Sequence, residues 1–388
     1  AYCMFGVLLF SSILGYFYNY KQIVLYADQK NYKIQQYVQG TGILKMILQI
    51  IAVSYLPNPF WGWLVLEAIS AVVTTIILNF ILKKEYPWLK TSTKEGKAYI
   101  KEYPEVLKKT GQVFFHRIGA VILGQSSPLI IYGFTSLTTV ALFGNYMLII
   151  NKVGFLLTSI FSSIGAAIGD LVATKNQQRI IKVFWELYDS RLCISVVVLI
   201  CLFHLTNPFI TIWLGKDFCL SKTFLLLYIM LSSISMTRAT VDSYISAHGL
   251  YKDIWAPMTE AVINVSMSVL LGTYFGLNGI IAGILISQVV IISIWKPYFL
   301  FKVSLKISAK KYFIPVIYRY IIVSVLFVAF HFLFLFLDIE RIESVKDFIL
   351  NAVVVCISSL IVVGIIFYVM FPGTRDFIER ILLSLRAK

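Results

Sequence analysis

Runs of about 20 apolar residues return along almost the whole sequence, and this recurrence decides the fold class before any motif is considered. The stretch FILNAVVVCISSLIVVGIIFYVMF, residues 348–371, carries no charge at all. At the α-helical rise, about 20 residues cover the ~30 Å of a bilayer's hydrocarbon core, and a helix satisfies its backbone N–H and C=O groups internally. Eleven such segments can be read, near 1–19, 38–56, 60–82, 112–133, 138–169, 190–207, 222–246, 254–275, 278–296, 314–337 and 347–371. Their continuity, without alternation, argues against a transmembrane β-barrel. Hydrophobic residues make up 59% of the chain and charged ones only 14%, too few to cover a water-soluble globule. The expected fold class is therefore all-α: a polytopic helical membrane protein of about eleven transmembrane helices.

Alternating the segments divides the connections into two sets with very unequal basic content. One set holds Lys21, Lys30 and Lys33, the loop KKEYPWLKTSTKEGKAYIKEYPEVLKKT, Lys175, Arg179, Lys182 and Arg191, Lys252, the run KPYFLFKVSLKISAKK with Arg319, and the tail with Arg375, Arg380, Arg386 and Lys388. The other holds Lys216, Lys222, Arg341 and Lys346. The positive-inside rule makes the basic set cytoplasmic, with the carboxyl terminus inside and residue 1 outside. That orientation implies an odd number of spans, three, ahead of residue 1. The formal charge of +15 is then explained by topology and an anionic leaflet, and nucleic acid is not expected as a partner.

The polar loop from Lys83 to Lys109 is the best internal boundary. The reading is residues 1–82 as the remainder of an amino-terminal lobe with three helices, 83–111 as a basic cytoplasmic linker, 112–300 as a six-helix carboxyl-terminal lobe, and 301–388 as two additional helices and a tail. The segment YKQIVLYADQKNYKIQQY reads as an amphipathic connection. In GLNGIIAGILIS, Gly279, Gly283 and Ser287 recur every fourth residue and permit close helix approach. The prolines fall mostly at or near the ends of the expected helices.

Motifs for chemistry are lacking. No GxxxxGK[ST], HExxH or GxSxG occurs, and the five cysteines and four histidines show no metal-ligand spacing. The chain is expected not to be an enzyme and to need neither metal nor cofactor.

What stands out is charge inside the membrane, where a charged side chain at the bilayer centre costs about 2.5–3.5 kcal/mol and usually faces a protein interior or water. Arg238 and Asp242, one turn apart, can pair on one face at about 13 and 7 Å from the inner end. Glu260 and Asn264 repeat that spacing in the next helix. Asn145, Lys152 and Ser159 form a seven-residue stripe, as Thr41, Lys45 and Gln49 do at four-residue intervals; Arg117 shares a face with Gly124 and Pro128. Lys45 and Arg117, within about 8 Å of the inner surface, have snorkelling to the headgroups as their alternative reading, and the Arg238–Asp242 pair has simple self-neutralisation. Glu67, about 10 Å from the outer surface, is read as too far from Lys45 to pair with it. Together the stripes suggest a water-accessible interior.

The order DSYISAHGLYKDIWAPMTEAVINVSMSVLLGTYFGLNGIIAGILIS, with its HGLYKD turn, EAVIN helix and GLNGI start to the next helix, resembles the late-helix region of polysaccharide transporters, the O-antigen and capsular repeat-unit flippases of the multidrug/oligosaccharidyl-lipid/polysaccharide superfamily. RIGAVILGQSSPLIIYGFTSLTTVALFGNYMLIINKV is similar to the start of that family's second lobe. The resemblance implies a two-lobed flippase bundle lacking its first helices, in the bacterial inner membrane. Its substrate would be an undecaprenyl-pyrophosphate-linked oligosaccharide, with polysaccharide assembly proteins as further partners. Lys152, Arg238, Arg117, Lys45 and Asn145 would contact the substrate, around a cationic cavity between the lobes. Asp242, Glu260, Glu67 and Asn264 would couple transport to a proton or sodium gradient. The alternatives are a cation-coupled drug or metabolite exporter of the same architecture and, further off, a membrane polysaccharide polymerase, which would need a sizeable extracytoplasmic loop that this sequence does not offer.

Overall fold

The computed structural model describes residues 2–28, 30–89, 102, 104–161, 164–339, 341 and 344–386, with some side chains near 27–31, 104–125 and 158–166 and beyond 383 outside that description. Among the described residues the chain is helical throughout its ordered elements. Eight helices are long and apolar enough to cross a membrane, or nine if the bent pair Tyr2–Phe17 and Asn19–Tyr26 is one span. The chain divides into two compact units, Ala1–Glu102 and Tyr103–Lys388.

The first unit contains α1 (Tyr2–Phe17), the short α2 (Ile23–Ala27), α3 (Asn31–Tyr55) and α4 (Pro59–Glu85). Pro59 stands in the first turn of α4, where its missing N–H leaves no hydrogen bond unmade. Leu25 of the expected amphipathic connection is fully buried among Ile34, Leu78, Leu82 and Tyr86, while Ile23 and Tyr26 are exposed. The connection is thus pinned to the helix ends by one leucine.

The second unit contains α5 (Pro104–Phe134), α6 (Leu137–Phe161), α7 (Ile164–Ala173), α8 (Gln177–Trp213), α9 (Lys222–Thr237), α10 (Ala239–Ala247), α11 (Trp255–Gln288), the four-residue α12 (Lys296–Phe299), α13 (Lys310–Phe336), α14 (Val345–Met370) and α15 (Pro372–Arg386). Its centre is α8, buried at many positions on several faces, against which α9, α13, α14 and α15 pack. By contrast α14 buries Val355, Ser359, Val363 and Phe367, one stripe at four-residue spacing, and turns its remaining apolar side chains outward. In water such a surface would be untenable; against acyl chains it is ordinary. The chain is a multi-pass membrane protein.

Each of the eleven expected segments lies on helix, but several boundaries move. The segment read as 190–207 belongs to the 37-residue α8, so Arg191 lies inside a helix and is buried. Arg319, grouped with the loop cations, is likewise buried inside α13. The segment 138–169 comprises two helices, α6 and α7, and 222–246 breaks at Arg238 between α9 and α10. Pro208 and Pro315 stand inside helices because α8 and α13 run past the ends of their expected segments, and Pro128 lies inside α5, six residues before its end.

Segments 254–275 and 278–296 form a tight hairpin within α11. Gly276 makes the reversal at φ 54° and ψ −133°, a conformation accessible to glycine alone. A Cβ at Gly279 would lie 2.0 Å from the Leu271 carbonyl oxygen, and one at Gly283 would lie 2.3 Å from the Ser268 nitrogen. The small-residue spacing of the sequence therefore seats one arm directly on the backbone of the other. Beyond the hairpin the helix widens to π geometry over Val289–Trp295 and Leu300–Ser304, flanking Lys296 and Pro297. A proline lacks the N–H that an α-helical turn requires, and such widened turns recur at functional positions.

Candidate functional site

In the first unit the antiparallel α3 and α4 bring their polar residues together. Lys45 Nζ donates to Glu67 Oε1 at 2.9 Å, and Gln49 Nε2 donates to Glu67 Oε2 at 2.9 Å. Thr74 donates to Thr41 one turn further along α3. The expectation that Glu67 lies too far from Lys45 is overturned. Measured from the turn that joins the two helices, Lys45 is ten residues before Tyr55 and Glu67 eight after Pro59, about 15 and 12 Å along their helices. The sequence reading had counted the two depths from opposite surfaces. The pair is neutral as a unit, with each carboxylate oxygen of Glu67 accepting one hydrogen bond.

In the second unit α6 carries Asn145 and Lys152 on one face, opposite the stripe of Phe143, Tyr146, Ile150 and Leu157 buried in the core. Lys152 is exposed and has no ion-pair partner among the described residues. It lies fifteen residues from the start of α6 and nine from its end, about 22 and 14 Å along the axis. A lone ammonium at that depth is tolerated only beside water or an anion. Asn145 is half-buried without a side-chain hydrogen bond among the described residues. Beside Gly154, a cleft of about 210 Å³ is lined by the polar Asn151, Ser232 and Ser235 together with the apolar Ile150, Phe155 and Met236. Arg117 lies on α5, but its side chain is outside the described part of the structure, as is that of Ser159.

Arg238 stands at the break between α9 and α10. Its Nε donates to Asp242 Oδ2 at 2.7 Å, the one-turn pair expected from the sequence. A third member was not foreseen: Lys296 Nζ reaches Asp242 Oδ1 at 3.2 Å from the α-helical turn between the two π segments. The sequence reading placed Lys296 in a cytoplasmic run. Depth would have found it, since Asp242 sits only about 7 Å from the Ala247 end of its helix, at the level where the neighbouring span ends. Glu260 is buried within electrostatic reach of Arg238 and Lys296 but has no ion pair among the described residues. Asn264 is buried between the hairpin arms, its Nδ2 donating to Ser287 Oγ at 3.4 Å.

Arg191 is a further missed cation. It is 8% exposed, lies 4.6 Å over the Phe161 ring, and its Nε has no hydrogen-bond partner among the described residues. Among these helix residues of the second unit, Lys152, Arg191, Arg238 and Lys296 are basic and Asp242 and Glu260 acidic. On α8, Asp189 holds Arg319 through two parallel hydrogen bonds, the Nη2–Oδ2 bond being 2.8 Å, with the guanidinium between the Trp185 and Phe371 rings. Glu186 pairs with Arg380 at 2.6 Å and Lys182 with Asp376 at 3.1 Å. These pairs dock α15 on α8 and are structural. His204 and His331 stack with ring centroids 5.6 Å apart, and no group of metal-ligating side chains is found among the described residues.

The membrane helices, the glycine-seated hairpin and the buried cations can be set beside known proteins. No protein-family model matches the chain, and no curated protein sequence does. Among solved structures, the lipid II flippase MurJ in its inward closed conformation matches with a TM-score of 0.52 over 87% of this chain and 67% of that one, at 15% identity. This chain has the flippase fold. At such low identity the likeness concerns backbone architecture, and the cations of α6, α8 and α9 must be weighed on their own geometry.

Proposed function

We propose that the protein moves a lipid-linked anionic precursor across the membrane, acting as a transporter and not as an enzyme. The observation that carries this reading is Lys152, exposed on α6 far from either helix end with no acid paired to it among the described residues. The excess of basic over acidic side chains among these membrane-helix residues of the second unit supports an anionic cargo, for which a pyrophosphate is chemically apt. The flippase fold supports the same class of cargo, since the protein that shares it is named for moving lipid II.

In finer detail, the substrate is an undecaprenyl-pyrophosphate-linked oligosaccharide repeat unit for O-antigen or capsule, carried across the bacterial inner membrane with the chain's carboxyl terminus in the cytoplasm. Lys152 meets the pyrophosphate first. Arg238 and Lys296 share Asp242 at rest and exchange it for phosphate oxygens during passage. Glu260, buried near both cations without an ion pair of its own, is the group whose protonation or sodium binding couples transport to a gradient.

The test is translocation of a fluorescent lipid-linked oligosaccharide in vesicles containing the full-length protein. Lys152→Ala is expected to lower the rate at least tenfold at unchanged protein abundance, with Lys152→Arg retaining most of it. Equal rates for Lys152→Ala and wild type, or export of a cationic drug in place of the lipid, reject the reading.

A further inference from the structure

The turn between the π-helical segment and α13 gathers positive charge that no acidic side chain among the described residues pairs with. A cleft of about 440 Å³ is lined by Tyr298, Lys302, Lys306, Ser308 and Lys310, and Lys311 follows immediately. All four lysines are exposed, and none has an acidic partner within 4 Å among the described residues. Lys302 Nζ donates to the Tyr298 hydroxyl at 2.7 Å, which draws one ammonium to the wall of the cleft. Lys306 holds a left-handed φ of 51°, a costly conformation for a residue with a side chain.

The placement of these charges opposes ordinary helix electrostatics. Lys310 and Lys311 occupy the first turn of α13, which contains no acidic residue, where the free N–H groups already carry partial positive charge. Lysines there repel the helix end as well as one another. An anion in the cleft attracts each of these groups and so offsets their mutual repulsion. The turn joins two membrane-crossing helices, so the cleft lies at the level of lipid headgroups.

We infer that this cleft is a binding site for a phosphate group, supplied by the headgroup of an anionic membrane lipid. The site is remote in sequence from Lys152, and the inference does not depend on the transport reading. Tyr298 and Ser308 add hydroxyl donors to the three ammonium groups, a set suited to phosphate oxygens.

The purified full-length chain is titrated with phosphatidylglycerol and, separately, with phosphatidylcholine, and bound lipid is counted by native mass spectrometry. Wild type is expected to bind phosphatidylglycerol preferentially. The combined Lys302→Gln, Lys306→Gln and Lys310→Gln variant is expected to lose roughly 100-fold in that affinity, about fivefold for each charge at a membrane surface. Lys306→Gly alone removes one charge while relieving the left-handed strain; about fivefold weaker binding with undiminished thermal stability is expected. Inorganic phosphate that fails to displace the lipid confirms the headgroup as the source, whereas efficient displacement assigns the cleft to soluble phosphate. Unaltered phosphatidylglycerol binding in the triple variant, an equal loss in a Lys216→Gln and Lys346→Gln control, or equal binding of phosphatidylcholine by wild type overturns the proposal.

Discussion

The α11 hairpin allows a graded test of its packing, because its glycines face different obstacles. An alanine Cβ at position 283 would stand 2.3 Å from Ser268 N, 2.5 Å from Met267 C and 2.6 Å from Ser268 Cα, all backbone atoms. Carbon contacts become comfortable near ~3.5 Å, so the arms must part by about 1 Å. Overpacking of this kind costs about 1–3 kcal/mol, and separating Asn264 from Ser287 adds about 1 kcal/mol for a buried hydrogen bond. Gly283→Ala should therefore destabilise by about 2–4 kcal/mol, and Gly279→Ala, 2.0 Å from the Leu271 carbonyl oxygen, by at least as much. At Gly272 the obstacle is Ile280 Cγ1 at 2.9 Å, a side-chain atom further off than the backbone atoms met at the other two, so the expected cost is smaller, about 1–2 kcal/mol. Gly364 in α14 has nothing within 4 Å of an added Cβ; alanine there should be neutral or stabilise by up to about 1 kcal/mol. Equilibrium unfolding in mixed micelles, followed by circular dichroism, ranks the four variants. A Gly283→Ala protein within about 0.5 kcal/mol of wild type, or one more stable than Gly272→Ala, would refute the close-contact reasoning.

Two other predictions concern charge. Arg319→Met strands Asp189, whose side chain is wholly buried, and should cost about 3–5 kcal/mol, whereas adding Asp189→Leu should recover most of it; a double variant no better than the single contradicts a paired role. In the first unit, the Tyr86 hydroxyl donates to Asp28 Oδ2 at 2.6 Å and, with Lys30 beside it, holds that carboxyl below its ordinary range. A depressed folded-state pKa gives stability that is present above about pH 4 and is lost as the pH falls through the folded value. Tyr86→Phe should flatten the acid limb of the thermal midpoint against pH, and an unchanged limb would remove Asp28 from the account.

Apolar run length was enough to read the class of fold, because a bilayer imposes one length and one backbone solution on every crossing. Local spacing carried some contacts too: Arg238 meets Asp242 one turn on, and Gly279 and Gly283 meet the opposite arm. Contacts between helices were harder to read, because each depends on where the helix begins. Lys45 and Glu67 were held apart only by counting from different surfaces. Glu186, Asp189 and Arg191 went unrecognised because α8 starts at Gln177, thirteen residues before its expected start, so a stretch taken for a loop is a buried helix. Lys296 was hidden for the same reason at the other end of a span, where a cation flanking a membrane helix is the ordinary expectation.

The account rests on Lys152 facing water within the membrane. With Cys3, Cys193, Cys201, Cys219 and Cys356 replaced, Lys152→Cys in native membranes can be challenged with a charged, lipid-insoluble thiol reagent, beside Ile365→Cys on the outward face of α14 and Tyr146→Cys in the core. The account predicts rapid modification at position 152, slowed by a lipid-linked pyrophosphate, and none at 365 or 146. A cysteine at 152 as inert to that reagent as the one at 365, yet reactive to a lipid-soluble maleimide, would contradict it.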